Sequence, residues 1–260
     1  MKKPTKNKEW FENEDFWRET YPFMFPEERI ASADDTVQKA LSLANVKGKS
    51  VLDLCCGPGR CSIALSRRGF SVTGVDRTKF LLDKARARAR VAKVSIEWFR
   101  ADMRDFVRPE SYDLALSMFT SFGYFENRGE DEKVLSNVFQ SLRRGGAFLL
   151  EMMGKEILAK IFQPSSAETL PDGSMLVDRH QIIDDWSRVQ NEWTIIRMGK
   201  VRKFNFKLNL YSGRELLEKM EQAGFDPVQL YGNMNGDVYG PNAKRLVAVG
   251  RKPKRSVSRT

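Results

Sequence analysis

The sequence has little of the two residues that most often form disulfides or bind metals. It contains three cysteines and one histidine in 260 residues. All three cysteines lie between Cys55 and Cys61, and an odd, clustered set is not typical of a disulfide framework. Their spacing matches no common zinc pattern, and no second cluster would complete such a site. We therefore expect no metal, no disulfides and a reducing, cytoplasmic setting.

Long apolar runs are also missing. No stretch approaches the roughly 18 apolar residues that a membrane helix needs. The lysine-rich start is not followed by an apolar segment, so a secretory signal is not expected. Hydrophobic residues still make up 41% of the chain, which is ample for a folded core.

The positive charge is confined to the two ends. Of the net charge of +10, residues 1–8 contribute +4 and residues 251–260 contribute +5, so residues 9–250 carry only +1. Such tails can bind nucleic acid, or they can serve only solubility. A further basic group spreads around one predicted helix and is better explained as a solvated helix face; it comprises Lys84, Arg86, Arg88, Arg90 and Lys93.

The middle of the chain alternates between strand and helix patterns. This alternation predicts an α/β fold, a doubly wound parallel sheet with helices on both faces. Right-handed crossovers then bring the carboxyl ends of the strands to one edge, where ligands bind. Strands are predicted at 50–55, 71–75, 94–100, 112–118 and 147–152, and helices at 61–68, 80–92 and 130–143.

Two regions depart from this alternation. Residues 9–26 are rich in aromatics and interrupted by Pro22 and Pro26, which predicts a strap that packs on the body, either as plain cover or as a lid. The second region is predicted to form three antiparallel strands, which either extend the sheet or cover its ligand edge. These strands comprise residues 174–183, 189–198 and 201–210. We divide the chain into an N-terminal strap and helix (1–45), a ligand-binding core (46–154), an inserted β-rich cap (155–210), a C-terminal completion of the core (211–252) and a basic tail (253–260).

The central motif is a glycine turn after the first strand. The sequence DLCCGPG (53–59) places Gly57 and Gly59 where a backbone can approach a ligand closely. Asp76 ends the second strand, where a carboxylate can accept both hydroxyls of a ribose. The third glycine of the NAD fingerprint is replaced by Ser62, and the lysine of a phosphate-binding P-loop is absent. An adenosine ligand is indicated, and ATP cleavage is disfavoured.

Five motifs in order resemble the class I S-adenosylmethionine-dependent methyltransferases. They are DLCCGPG (53–59), VTGVD (72–76), ADM (101–103), YDLALSM (112–118) and LRRGG (142–146). The resemblance is strong over residues 50–152 and weaker over 212–251. It implies a Rossmann-like, seven-stranded sheet whose last strand is antiparallel. It also implies S-adenosylmethionine as cofactor and S-adenosylhomocysteine as product.

The resemblance further implies roles for individual residues. Asp53 would order the glycine loop and the ammonium end of the cofactor, and Cys55 would lie in the same loop. Asp76 would bind the ribose hydroxyls, with Arg77 beside it. Asp102 and Met103 would contact the adenine, and Met118 and Phe119 would line the opposite side of the cofactor. Gly57 and Gly59 would let the loop approach its methionine part.

The loop SFGYF (121–125) follows the fourth strand, where this family brings the acceptor to the methyl group. It resembles a subset of mostly uncharacterised or small-molecule enzymes. Tyr124 would orient or deprotonate the acceptor, or only pack; His180 would act as a base if the inserted strands wall the site. The motifs of adenine-amino and five-methylcytosine enzymes are missing. We expect a small-molecule N- or O-methyltransferase; an RNA methyltransferase and a non-catalytic cofactor-binding protein are the alternatives.

Overall fold

The computed structural model describes residues 9–254, in which eleven strands and eight α-helices follow one another. The strands are β1 (Ser50–Leu54), β2 (Ser71–Asp76), β3 (Glu97–Arg100), β4 (Tyr112–Ser117), β5 (Leu142–Met152), β6 (Ser165–Thr169), β7 (Met175–Ile183), β8 (Arg188–Arg197), β9 (Lys200–Asn209), β10 (Val228–Tyr231) and β11 (Leu246–Arg251). The helices are α1 (Glu14–Met24), α2 (Glu27–Ala31), α3 (Ala33–Ala44), α4 (Arg60–Arg67), α5 (Lys79–Val91), α6 (Arg128–Ser141), α7 (Lys155–Ile161) and α8 (Gly213–Gln222).

Seven of the strands form the central sheet, in the spatial order β10-β11-β5-β4-β1-β2-β3. β1 pairs in parallel with β2 and β4, and the last strand, β11, runs antiparallel to both β5 and β10. The predicted Rossmann-like sheet with an antiparallel last strand is therefore confirmed. Its strand order reverses at β1, which places a crevice between the ends of β1 and β4.

Helices cover both faces of this sheet. On one face α6 and α8 pack on Leu52, Phe148 and Leu150, and on the other face α3 and α4 pack on Leu114 and Leu149. Successive residues of a strand point to opposite faces, so buried strands need apolar residues at nearly every position. The apolar runs in β1, β4 and β5 meet this need. None of the helices within residues 9–254 is both long enough and apolar enough to cross a membrane.

The inserted region forms a second sheet of its own rather than an extension of the first. Its strand order is β6-β7-β8-β9, all antiparallel. Three of these strands match the prediction, but β6 was missed, and the prediction of three strands is corrected to four. β6 is exposed at every residue and carries no alternating apolar pattern, so its sequence holds no strand signal.

The strap, residues 9–26, packs between the two sheets. Phe16 is buried and its ring contacts Trp193, Phe204 and Phe206 of the second sheet at centroid distances of 5.8, 5.2 and 6.1 Å. Pro22 does not break the strap as predicted, because it lies in the last turn of α1 with its ring exposed. The aromatic packing of α1 compensates for the one helical hydrogen bond that proline removes.

A buried polar cluster joins α6 to the end of β9. Asp131 is fully buried, and one of its carboxylate oxygens accepts hydrogen bonds from Tyr211 Oη at 2.6 Å and from Asn209 Nδ2 at 2.8 Å. Burial raises the pKa of Asp131, so the group depends on these donors.

We expect the Tyr211→Phe variant to lower the free energy of unfolding by about 1–3 kcal/mol, because it removes a donor from a buried carboxylate. Urea denaturation measures this change. The matched control is Tyr231→Phe, whose hydroxyl bonds Gln229 at the surface and whose loss should cost less than about 0.5 kcal/mol. Equal losses of unfolding free energy in the two variants would contradict the view that the buried Asp131 carboxylate depends on the Tyr211 hydroxyl.

Candidate active site

A cavity of about 250 Å³ lies at the carboxyl ends of β1, β2 and β4. Parallel strands joined by right-handed crossovers direct their carboxyl ends to the same edge, so residues far apart in the chain meet there. Of the residues predicted to bind the cofactor, all but one line this cavity: Asp53, Cys55, Gly57, Asp76, Arg77, Asp102, Met103, Met118 and Phe119.

Asp76 joins the ends of β1 and β2. Its carboxylate accepts a hydrogen bond from the Gly57 amide at 2.9 Å and another from the Thr78 amide at 2.8 Å. Burial raises the pKa of Asp76, although these amide donors lower it. A carboxylate offers about four acceptor sites. The Asp76 side chain also lines the cavity, where its oxygens can accept hydrogen bonds from ligand donors such as hydroxyl groups.

Asp53 lies beneath the glycine loop and is almost fully buried. It accepts a hydrogen bond from the Ser62 hydroxyl at 2.5 Å. Ser62 occupies the position where an NAD-binding turn has its third glycine, and its hydroxyl forms a hydrogen bond that joins α4 to β1. Burial raises the pKa of Asp53 to about 6.

Gly59 is the predicted cofactor residue that the cavity does not include. It has φ +80°, and a Cβ at this position would lie 2.7 Å from the Trp98 ring. The glycine therefore allows α4 to pack against its neighbours rather than a ligand to approach. Cys55 and Met103 lie side by side on the cavity wall, with their sulfur atoms 3.5 Å apart.

Asp102 is held by two arginines. It forms ion pairs with Arg77 and with Arg104, the latter at 2.8 Å. Although burial by itself raises the pKa of Asp102, the hydrogen bonds from Arg104 hold it below its usual value. The carboxylate that the resemblance assigns to the adenine amino group thus already faces two guanidinium groups in this structure.

The same two arginines also form ion pairs with the strap. Glu9 pairs with Arg104 at 2.6 Å, and Glu12 pairs with Arg77. Glu9, Glu12 and Arg104 were missed by the sequence analysis. The only local signal is the Glu9–Glu12 capping pair at the start of the strap.

The turn after β4 has an unusual backbone. Phe119 and Thr120 both have positive φ, +61° and +58°, which is rarely adopted by non-glycine residues. The buried carboxylate of Glu151 accepts a hydrogen bond from the Phe119 amide at 2.5 Å and pairs with Arg245, which also donates to Thr120 Oγ1 at 2.7 Å. Glu151 was also missed, although a single acid inside the apolar strand β5 is a signal for a buried polar role.

The strap supplies the outer wall of the cavity with Trp10, Phe11, Trp17, Met24 and Phe25. The second sheet, by contrast, contributes no lining residue within the described chain. It supports the strap from behind, where Phe206 contacts Trp10 at a centroid distance of 5.0 Å. The inserted strands therefore do not line the cavity at the ligand edge directly.

The two residues considered for catalysis lie in different places. Tyr124 lines the cavity, with its ring 5.0 Å from that of Trp10. Burial raises the pKa of Tyr124 to about 12. His180 lies on β7, outside the cavity, with Nδ1 2.7 Å from the side-chain oxygen of Asn191. The expectation that His180 reaches the site is corrected, because the strap separates its sheet from the cavity.

We expect the stability of the Asp53→Asn variant, relative to the natural protein, to rise with pH. The folded Asp53 carboxyl keeps its proton up to about pH 6, whereas the unfolded one releases it near 3.8. The native state binds more protons in this window, so its unfolding free energy falls as the pH rises. Asparagine removes this loss, which amounts to about 2 kcal/mol between pH 4 and 7.

Urea denaturation across this pH range measures the effect. Asp83→Asn is the control. Asp83 is exposed, and its hydrogen bond from Lys79 lowers its pKa. The unfolding free energy of this variant should therefore not rise with pH relative to the natural protein. A constant difference between Asp53→Asn and the natural protein would contradict the burial argument.

Comparison with known proteins agrees with this geometry. Residues 51–146 match a family model described as a methyltransferase domain. A protein of Geobacillus sp. (strain WCH70) named as a methyltransferase is 25% identical over 230 residues, which cover 83% of this chain and 90% of that protein.

Two solved structures have the same fold. A S-adenosylmethionine-dependent methyltransferase from Clostridium acetobutylicum ATCC 824 superposes with a TM-score of 0.76 at 14% identity, covering 92% of this chain and 98% of that chain. The sugar N-methyltransferase KedS8 from Streptoalloteichus sp ATCC 53650 superposes with a TM-score of 0.68 at 17% identity, covering 97% and 98%.

The family match covers the five motifs, and the fold is shared over nearly the whole chain. Residues 51–146 are therefore similar to the methyltransferase domain that the motifs predict, and the chain shares the fold of a solved S-adenosylmethionine-dependent methyltransferase.

Proposed function

We propose that the cavity binds S-adenosylmethionine and that the chain transfers its methyl group to a nitrogen or oxygen atom of a small-molecule acceptor. The ribose would lie on Asp76, and the sulfonium would point toward Phe119 and Tyr124. The observation that carries this proposal is the Asp76 carboxylate, which is buried, ends β2 and retains acceptor capacity toward the cavity. The product would be S-adenosylhomocysteine.

Asp53 supports placing the amino-acid end of the cofactor beside the glycine loop. It lies on the cavity wall close to the glycine loop, and it is ionised above about pH 6. The ammonium of the cofactor would compensate its buried charge. Cofactor affinity should accordingly be highest above pH 6.

The enclosure of the cavity supports a small acceptor. The strap closes the outer side with aromatic rings, and ion pairs from Glu9 and Glu12 hold it there. Aromatic faces around a sulfonium stabilise its positive charge by cation–π attraction and exclude water. The fold shared with a sugar N-methyltransferase is compatible with an acceptor of this size.

The reaction would proceed by in-line displacement. The acceptor lone pair forms a bond to the methyl carbon while the carbon–sulfur bond breaks, and the sulfonium becomes a neutral thioether. With a pKa of about 12, Tyr124 stays protonated near neutral pH and is a poor base. We assign it the role of orienting the acceptor; where the methylated acceptor carries an extra proton, that proton is released to bulk solvent after the methyl transfer.

An RNA acceptor has less support. In the predicted basic helix, Arg88 pairs with Glu27 at 2.6 Å and Arg86 pairs with Asp83 at 3.3 Å, so part of its charge is neutralised. Most of the two basic tails, residues 1–8 and 255–260, lies outside the described residues.

Isothermal calorimetry with S-adenosylhomocysteine tests the ribose contact. We expect Asp76→Ala to weaken binding on the order of 100-fold, because two hydrogen bonds to a charged acceptor are lost. Circular dichroism checks that the variant as a whole remains folded. Asp83→Ala, an exposed acid on α5, is the control and should bind like the natural protein; unchanged affinity in Asp76→Ala would overturn the proposal.

Cofactor labelled in its methyl group tests the acceptor class. The full chain is incubated separately with pooled small amines, with small hydroxy compounds and with total RNA. We expect label in one of the small-molecule pools. Labelling of RNA alone, weakening steeply between about 50 and 200 mM salt, would instead indicate a nucleic-acid acceptor.

A further inference from the structure

The aromatic rings that line the cavity differ in whether a positive side chain already faces them. Three phenylalanines do have one: the guanidinium carbon lies 5.6 Å from the ring centroid for Arg77 on Phe11, 3.3 Å for Arg60 on Phe119 and 4.3 Å for Arg104 on Phe125. Four lining rings have no lysine or arginine over a face within residues 9–254; they are Trp10, Trp17, Phe25 and Tyr124. These four are the rings that a cationic ligand can use without displacing an arginine.

Three of these four rings adjoin one another and form what we call the aromatic cluster: Trp10, Trp17 and Tyr124. The Trp10 ring centroid lies 5.0 Å from that of Tyr124 and 5.7 Å from that of Trp17. The cluster is held in place, since Phe206 packs on Trp10 at 5.0 Å and Trp17 Nε1 donates a hydrogen bond to the Phe11 carbonyl at 2.8 Å. Fixed indole and phenol rings bind a positively charged nitrogen well, because their faces carry partial negative charge.

The aromatic cluster brings no base to the acceptor. The three carboxylates that line the cavity belong to other elements: Asp53 lies in β1, Asp76 ends β2 and Asp102 follows β3, whereas the cluster comes from the strap and the loop after β4. Among residues 9–254, no histidine, glutamate or lysine lines the cavity. Tyr124 itself has a pKa of about 12 and keeps its proton. An acceptor held at the cluster therefore finds no side chain there that takes a proton from it.

A hydroxyl and an amine differ in what they need from such a site. A hydroxyl oxygen attacks well only when a base removes its proton. An unprotonated amine attacks with its free lone pair: the nitrogen–carbon bond forms, the electron pair of the carbon–sulfur bond stays on sulfur, and the positive charge passes from the sulfonium to the nitrogen. The charge of the cavity is unchanged, and aromatic faces stabilise it on either atom.

We propose that the acceptor is an amine and that Trp10, Trp17 and Tyr124 bind its positively charged methylated nitrogen. The inference rests on the proposed function and narrows it from a nitrogen or oxygen acceptor to a nitrogen acceptor. The amine enters without its extra proton, which stays in the bulk solvent, so no side chain has to accept one. The strap supplies two of the three rings and thus completes the acceptor site as well as the outer wall.

Calorimetry on the full chain, saturated with S-adenosylhomocysteine, tests this site. The probes are choline, which carries a methylated ammonium, and 3,3-dimethylbutan-1-ol, its neutral isostere, in which carbon replaces the nitrogen. The variants are Trp10→Leu, Tyr124→Leu and Tyr124→Phe, the last of which removes the hydroxyl but keeps the ring. Trp186→Leu is the matched control, since Trp186 is 40% exposed between β7 and β8 and does not line the cavity.

We expect the natural protein to bind choline at least about 10-fold more tightly than the isostere, because ring faces attract a desolvated cation but not a neutral group. Trp10→Leu and Tyr124→Leu each lower this ratio of affinities about 5- to 10-fold, whereas Tyr124→Phe and Trp186→Leu keep it within about 3-fold. When the natural protein is given cofactor labelled in its methyl group, small amines are labelled and small hydroxy compounds are not.

Equal affinity of the natural protein for the two probes refutes the amine site, as does a preference for choline that the leucine variants at Trp10 and Tyr124 retain or that Trp186→Leu loses equally. Labelling of the hydroxy compounds refutes it too. Retained S-adenosylhomocysteine binding shows that a variant is folded; where one is not, the preference of the natural protein decides. Natural protein that does not bind S-adenosylhomocysteine refutes the proposed function, whereas S-adenosylhomocysteine binding without a preference for choline refutes the amine site alone.

Discussion

The hydrogen bond from the Gly57 amide to the Asp76 carboxylate joins the ends of β1 and β2, and the ligand edge of the sheet depends on it. The loop after β1 turns sharply through positive φ at Cys55, Gly57 and Gly59, which leaves amides in need of acceptors inside the protein. Asp76 satisfies one of them and keeps acceptor capacity toward the cavity. One carboxylate thus has both a structural role and the ligand-binding role that we propose.

The strap completes the site from the opposite side. Its aromatic rings form the outer wall, and its two glutamates pair with Arg77 and Arg104, which in turn hold Asp102. The second sheet packs behind the strap and has no lining residue in the described part of the chain. It therefore acts on the cavity through the strap, and changes in the inserted strands should be transmitted by residues such as Phe16 and Phe206.

The seven-stranded sheet and most of the cavity could be predicted from sequence because their signals are local. The apolar strands, the glycine turn and the position of Asp76 are each recognised from residues that are close neighbours in the sequence. The missed features depend on contacts between distant segments: Glu9 meets Arg104 across 95 residues, and Glu151 meets Arg245 across 94. His180 was misplaced for the same reason, since nothing near it in the sequence indicates that the strap lies between its sheet and the cavity.

A crystal structure of the full chain with S-adenosylhomocysteine tests the central claim most directly. The account predicts that both ribose hydroxyls lie within about 3 Å of the Asp76 carboxylate, with the sulfur atom facing Phe119 and Tyr124. A nucleoside bound away from Asp76, for instance in the open cleft beside Lys79 and Arg100, would contradict it.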